Sequence, residues 1–456
     1  MMVEVTKRYA EFIVNTRLED IPEAERTLAK GAILDGVGVT IAATTEPAGR
    51  MILDYVRDLG GAEQASVVGG GYKTNAANAA YANGTLAHCL DFDDVGGFGH
   101  PTVVLLPAIL ALGERLGKSG RDALEAYCIG FEVAANLALG NKRQNVDQIR
   151  GFHSTAALGH FAAASASAKL LGLDVEQTQR TLGIAASGSA GVLANLGYHV
   201  KPLHAGQAGR NGVTAAELAK RGWTASPDVI ERPVGWAYAF LGAENFDAER
   251  ATATLGTEWR LPASLGIKKY PCCYYNHAAL DGLLKLLKDN EVAFDDVEVA
   301  QLEVPTLLPF FHAEPTTAFQ GKFSYEYNLA AAILDHEIVQ DTFTDEKATS
   351  PGMVEALKRS KVVAAPEKFS ASTARTAPVS VRTRSGKEYN TVVDVPYGHA
   401  AAPLKQEEIV AKFRKNAARL LDGGDTDRLL GLLLNLESSA VPAIMAIAGS
   451  RAVARV

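Results

Sequence analysis

Cysteine is scarce in this chain of 456 residues, with only Cys89, Cys128, Cys272 and Cys273 present. The last two are adjacent, a spacing that suits neither an ordinary disulfide nor a CxxC clip for metal or redox chemistry. The pattern is that of a reducing compartment. Positive charge is not in excess: 45 Lys and Arg stand against 52 Asp and Glu, a formal net charge of −7. No long block of one sign is available to neutralise a phosphate backbone, so no nucleic-acid partner is expected. Long apolar runs are also missing. Val103 to Leu112 is interrupted by Pro107 and closed by Glu114 and Arg115, while Leu182 to Val200 is uncharged but broken by glycines and serines. Neither approaches the roughly 20 apolar residues of a membrane helix, so no membrane partner is expected. The N-terminal stretch mixes both charge signs at helical spacing and lacks the flank, run and cleavage site of a signal peptide, which reads as a cytoplasmic start.

What is present is an ordinary globular composition, 47% hydrophobic and 21% charged, long enough for one large domain and one or two smaller ones. From residue 4 to about 260, segments such as EAERTLAKGAILDGVGVTIA, RDALEAYCIGFEVAANLALG and STAALGHFAAASASAKLLGL repeat apolar or small residues at three and four. Alanine and glycine dominate these faces and let helix axes approach closely, which predicts a tightly packed helical domain. After Lys268 the texture changes. DDVEVAQLEVP alternates as a strand does, KVVAAP is a short β-branched run, and VSVRT-RSG-KEYNTVVDVP reads as a hairpin around Ser385 and Gly386. Helices over His277 to Lys288 and Tyr325 to Leu334 interleave with them. The fold is therefore expected to be mainly α. A large helical domain takes residues 1–265 and 401–456 from both ends of the chain, and a smaller α+β domain takes 266–400.

Two nucleotide motifs are near misses. Gly113 to Ser119 has three residues between its glycines where a P-loop has four, and it follows a helical stretch instead of a strand. The glycines at 69–71 open no GxGxxG helix start. No cofactor is expected.

The densest polar segment is NGTLAHCLDFDDVGGFGHP, which brings His88, Asp91, Asp93, Asp94 and His100 into thirteen residues. An acidic run closing a helix before a glycine turn can be a solvated cap, a holder of a proton donor, or a divalent-metal site. GFHSTAALGH adds His153 and His160, KPLHAGQAGR adds Lys201, His204 and Arg210, and IKKYPCCYYNH adds Lys268, Tyr270 and His277. Each group lies at a helix boundary beside glycine or proline, where a side chain can project into a cleft. Any single histidine here also fits a satisfied structural role. Together they form the set that proton transfer beside a carboxylate requires. Removing a C–H proton next to a carboxylate builds a second negative charge, so a base must be accompanied by cations aimed at the developing dianion. Lysine, arginine and protonated histidine supply those cations, and imidazoles can carry the proton near neutrality. Cys272 and Cys273 lack a Cys-His-Asn pattern and read as packing. No closed set of metal-ligand spacings appears beyond the acidic turn, so no metal is expected.

At these residues the chain resembles the MmgE/PrpD family. NGTLAHCLDFDD with His100-Pro101, GFHSTAALG, VKPLHAGQAGRNGVTAAELAKRG, KKYPCCYYNH, GKFSYEYNLA and YGHAAAPL occur in family order across most of the chain. The resemblance implies a helical domain built from both termini, a smaller lid domain, a homodimer, and a site in the cleft between domains. Members include 2-methylcitrate dehydratase, cis-aconitate decarboxylase and iminodisuccinate epimerase, all acting on small di- or tricarboxylates. Carried over by matching motif, it points to Asp93, His100, His153, Lys201 and His277 as catalytic. It also points to Lys268, His204, Arg210 and Tyr270 as substrate-binding. The expected activity is a cofactor-independent lyase of the 2-methylcitrate dehydratase type, with decarboxylation or epimerisation as alternatives. An aspartate-rich terpene cyclase is a poorer fit, because aromatics are only 7% and the cationic KPLH and KKYP segments have no place in it. A catalytically silent scaffold protein is the remote alternative, and the joint presence of Asp93, His100, His153 and Lys201 argues against it.

Overall fold

The computed structural model describes residues 3–142, 150–370 and 376–450. The fold is mainly α. Its first helices relevant to the site are α1 (Glu23–Ala43), α2 (Ala76–Cys89), α3 (Thr102–Leu116), α4 (Gly120–Leu139), α5 (Ser154–Leu171) and α6 (Val200–Lys220). Caps explain several boundaries. The Asn75 side chain accepts from the Asn78 amide to start α2, and Ser119 forms a capping box with Asp122 to start α4. Gly117 and Gly172 close α3 and α5 in the left-handed conformation. α3 runs through Pro107, deep in the core.

Alanine and glycine on these faces permit the expected close packing. At the crossing of α2 and α6, a Cβ on Gly84 would meet the Gly206 Cα at 2.9 Å, and one on Gly206 would meet the Tyr81 carbonyl oxygen at 2.4 Å. Larger residues there would push apart the two helices that carry His88 and Lys201. The main hydrophobic cluster draws on residues from Val5 to Ile267 and again from Ile409 to Ala448. The C-terminal helix Gln406–Ala417 packs on α1, returning the end of the chain to the first body.

A second cluster runs from Tyr270 to Val381. It is built on α7 (His277–Asp289), α8 (Tyr325–Asp335) and a four-stranded sheet of β1 (Val297–Val304), β2 (Ser360–Ala364), β3 (Ala377–Thr383) and β4 (Glu388–Val393), in the order β2-β1-β3-β4. β1 pairs parallel with β2 and antiparallel with β3, and β3–β4 is the hairpin expected around Ser385 and Gly386. β1 alternates buried and exposed positions, so one face covers the second core while the other is wetted. Just before the second cluster begins, Gly266–Ile267 pairs antiparallel with Asp94–Val95. That two-residue ladder ties the acidic segment to the start of the lysine-rich stretch.

Candidate active site

The site grows from the end of α2. Leu90 caps the helix, and Asp91 follows with φ +52°, a left-handed conformation uncommon for a residue with a side chain. The turn brings Asp91 and Asp93 inward, and both are fully buried. The Asp91 Oδ1 atom accepts from Lys201 Nζ at 2.5 Å and from Lys268 Nζ at 2.9 Å. Lys201 comes from the first turn of α6, and Lys268 directly follows the short strand Gly266–Ile267. Burial alone would raise the Asp91 pKa, but the two ammonium groups outweigh it and hold the carboxyl well below its usual range. In return, Asp91 and Asp93 hold the Lys268 ammonium above its usual range against its burial.

Asp93 braces two imidazoles. Its Oδ1 lies 3.0 Å from His88 Nδ1 and its Oδ2 lies 2.7 Å from His100 Nδ1, which is also 2.7 Å from the Asp94 carbonyl oxygen. Both Nδ1 atoms thus carry the proton, which leaves each Nε2 as the nitrogen able to exchange one. His88 Nε2 is buried with no hydrogen-bond partner among the described residues. The ring of His153 stacks with His88 at 6.1 Å, and His153 Nδ1 lies 3.1 Å from His204 Nδ1. His153 stands at the N-cap of α5, and His204 lies three residues after Lys201 on α6, on the same face.

All four imidazoles are held neutral. Burial and the Lys201 charge push His88 down to about 3 and His204 to about 4, and hold His153 well below its ordinary value. Burial also lowers His100, with Asp93 opposing and Lys201 assisting. The remaining carboxyl, Asp94, behaves differently. Burial and the Asp93 charge raise it to about 7 while Thr102 donates to it from both its amide and its hydroxyl. The four cysteines are free and buried, and burial raises the Cys273 thiol to about 11 and that of Cys272 well above its usual value, so neither is a ready thiolate.

The structure therefore brings together Asp93, His100, His153, Lys201, His204 and Lys268 from four separate segments. His277, the first residue of α7, is buried beside them, lowered to about 3 by burial and the Lys268 charge, with its Nε2 atom 3.3 Å from the Cys272 carbonyl oxygen. Tyr270 lies edge-on to His277, with ring centroids 5.2 Å apart, and donates its hydroxyl to Asp281 at 2.8 Å. Arg210 is not in the cluster. It is exposed, with its guanidinium 5.4 Å from the Tyr81 ring centre. Nine residues at 100° each place it half a turn away from Lys201 on α6.

Four residues join the site that the sequence reading assigns no role. His88 and Asp91 stand within the acidic segment, where their neighbours Asp93 and His100 take the assignment. Lys412, from the C-terminal helix, donates to Asp35, to the Phe92 carbonyl at 2.7 Å and to the Lys268 carbonyl at 2.9 Å. Lys322 donates to the carbonyls of Leu90 and Pro271, both at 2.9 Å. Both act from far along the chain, and only the GKFSYEYNLA motif gives Lys322 any local signal.

The donor atoms of His88, Asp91, Asp93 and His100 lie within 4.8 Å of one another, as do those of His88, His100 and His153. Lys201 and Lys268 already pair with Asp91, so a cation bound to that carboxylate would have to displace an ammonium group.

Comparison with known proteins agrees with this chemistry. Residues 7–249 match the family model of the MmgE/PrpD N-terminal domain, and residues 270–438 match that of the MmgE/PrpD C-terminal domain. The chain is 27% identical over 449 residues to the cis-aconitate decarboxylase of Homo sapiens, covering 96% of this chain and 92% of the relative. It is 27% identical over 462 residues to the cis-aconitate decarboxylase-like protein oryM of Aspergillus oryzae, covering 96% and 95%. Against the cis-aconitate decarboxylase of Aspergillus terreus it is 25% identical over 463 residues, covering 95% and 93%. With both domain models matched in order, this chain belongs to the MmgE/PrpD family.

Proposed function

We propose that this protein is a lyase that acts on a small di- or tricarboxylate by acid/base chemistry beside a carboxylate, with cis-aconitate decarboxylation as the reaction to test first. The observation that carries the reading is the pairing of two buried lysines with a column of neutral imidazoles. Lys201 and Lys268 share Asp91, while His88, His100, His153 and His204 stand uncharged next to them. A polycarboxylate offers oxygens to the N–H donors of these lysines that Asp91 leaves free.

Breaking a C–CO2⁻ bond leaves an electron pair that must spread onto a neighbouring carboxylate. Fixed ammonium groups stabilise that charge without reorganising, and an imidazole that takes up a proton from water as the substrate binds passes it to carbon and returns to its neutral form. His100 and His153 take the proton-transfer roles, Asp93 orients the His100 ring, and Lys201 and Lys268 hold substrate carboxylates. The division of the chain into a helical domain (1–265 with 401–456) and a lid (266–400) belongs to the same proposal, with the site at their junction. So does the pairing of two copies.

The test is to incubate the purified protein in deuterated water with cis-aconitate, 2-methylcitrate, citrate and iminodisuccinate, following each by NMR. Loss of carbon dioxide from cis-aconitate, with one deuteron fixed in the product, supports the leading reading. Water loss from 2-methylcitrate would move the assignment to a dehydratase, and deuterium exchange without net conversion of iminodisuccinate to an epimerase. If none of the four is altered, polycarboxylate chemistry is refuted.

A further inference from the structure

Lys322 is a buried ammonium for which the proposed chemistry has no use. It is 3% exposed and forms no ion pair with a carboxylate among the described residues. Its partners are two carbonyl oxygens, of Leu90 and Pro271, and the face of Phe343 at 4.4 Å. Burying a charge on neutral partners alone is costly, and here burial lowers the Lys322 pKa to about 8, with Glu46, Asp91 and Cys272 opposing and Lys268 adding to the shift. Packing would be served better by methionine or leucine at this position.

The carbonyls it selects explain the cost. Leu90 O is one of the carbonyls that the last turn of α2 leaves without a helical partner, and the negative end of the helix dipole favours a cation there. The next residue is Asp91, at φ +52°. Where the Leu90 carbonyl points therefore sets where the chain leaves the helix and where the Asp91 carboxylate stands. The second carbonyl, Pro271 O, belongs to the Lys268–His277 stretch. The Lys322 backbone holds that same stretch, since its carbonyl accepts from the Cys273 amide at 3.0 Å and from Asn276 Nδ2 at 3.3 Å. One residue of the second body thus grips both segments whose side chains meet at Asp91.

We propose that Lys322 is a positioning residue for this site: it caps the end of α2 from the opposite body and so holds Asp91 where its carboxylate can bind Lys201 and Lys268. As a functional claim this rests on reading the cluster as the active site, but the positioning itself is measurable without turnover. The variant is Lys322→Met, which removes the ammonium and keeps the backbone bonds to Cys273 and Asn276, with Lys322→Arg as the charge-retaining control. Hydrogen exchange of the peptide spanning Leu90 to Asp94 should become about tenfold faster or more in Lys322→Met and remain near wild type in Lys322→Arg. The midpoint of thermal unfolding should stay within about 3 °C of wild type. With a substrate that the wild type converts, kcat/KM should fall by about 10- to 100-fold, with partial recovery in Lys322→Arg.

Unchanged exchange in Lys322→Met overturns the proposal. So does a fall of roughly 10 °C or more in the unfolding midpoint, which would make Lys322 a structural anchor. If the wild type converts no polycarboxylate, the enzymatic reading fails while the exchange measurement still decides the role of Lys322.

Discussion

Binding of a polycarboxylate should draw a proton into the site, and the structure sets the expected amount. In the free protein His204 is held at about 4 by burial and by the Lys201 charge, so at neutral pH it is uncharged. A substrate carboxylate seated about 4 Å from the ring contributes about 4 kcal/mol at an effective dielectric of 20. That is a shift of about 3 pKa units, since one unit corresponds to about 1.36 kcal/mol. The same step lifts His204 to about 7, half-protonated at neutrality. His88 starts lower, at about 3, and the equal shift leaves it largely neutral.

Because the complex then holds its proton more tightly than the free protein, affinity should strengthen as pH falls from 8 towards 5 and weaken as it rises. Calorimetric titration with tricarballylate, in buffers of differing ionisation enthalpy and corrected for the ionisation of the ligand itself, measures the uptake. The expectation is about 0.6 of a proton at pH 7, nearly all of it on His204, about 1.4 at pH 6, where His88 adds about half a proton, and about 0.1 at pH 8, with the His204 share lost in His204→Gln. Tight binding with no proton uptake between pH 6 and 7 would refute the electrostatic argument, because the imidazoles would then be blind to the charge of the ligand.

Four other outcomes are expected. His100→Ala and His153→Ala should each lower turnover by about 10²-fold or more with affinity nearly intact, whereas Lys201→Ala should weaken binding as well; steady-state kinetics on the converted substrate separates them. Chelators should leave activity unchanged, and a stoichiometric metal whose removal abolishes turnover, measured by elemental analysis, would reverse the reading of Asp91 and Asp93. Gly206→Ala should cost about 1–3 kcal/mol in denaturant unfolding, because the added methyl meets the backbone of α2 at a contact of 2.4 Å. Sedimentation should find a dimer at micromolar concentration, and a fully active monomer would contradict the homodimer.

Helical periodicity was legible because alanine and glycine faces repeat at three and four over long spans, and the β3–β4 hairpin because Ser385-Gly386 interrupts two alternating runs. Pro107 lies within α3, where a buried helix can lose one backbone bond and continue when its neighbours hold it on every side. In the site, residues at helix ends beside glycine or proline were readable, since such positions project side chains. Arg210 passed the motif test but not the geometric one, because its helical phase relative to Lys201 turns it outward. Lys322 and Lys412 were hidden for a different reason. Each acts on backbone carbonyls of the acidic turn, and a carbonyl carries no residue identity for a sequence pattern to match.

The order in which charges are satisfied accounts for the composition of the cluster. Two ammonium groups buried side by side repel each other, and a shared carboxylate between them offsets that repulsion. Asp91 serves that purpose, and the two lysines in turn hold its carboxyl well below the usual range. Yet one carboxylate cannot satisfy six N–H donors. Lys268 spends a second bond on the Asp91 carbonyl, while Asp91 is the only carboxylate that Lys201 reaches within ion-pairing distance among the described residues. Donor capacity therefore remains on the lysines, next to imidazoles that are uncharged until an anion arrives. A divalent cation would have to displace these lysines from Asp91 and leave them unpaired. A second and third carboxylate can join Asp91 on the same ammonium groups, which is the arrangement that the proposed polycarboxylate substrate calls for.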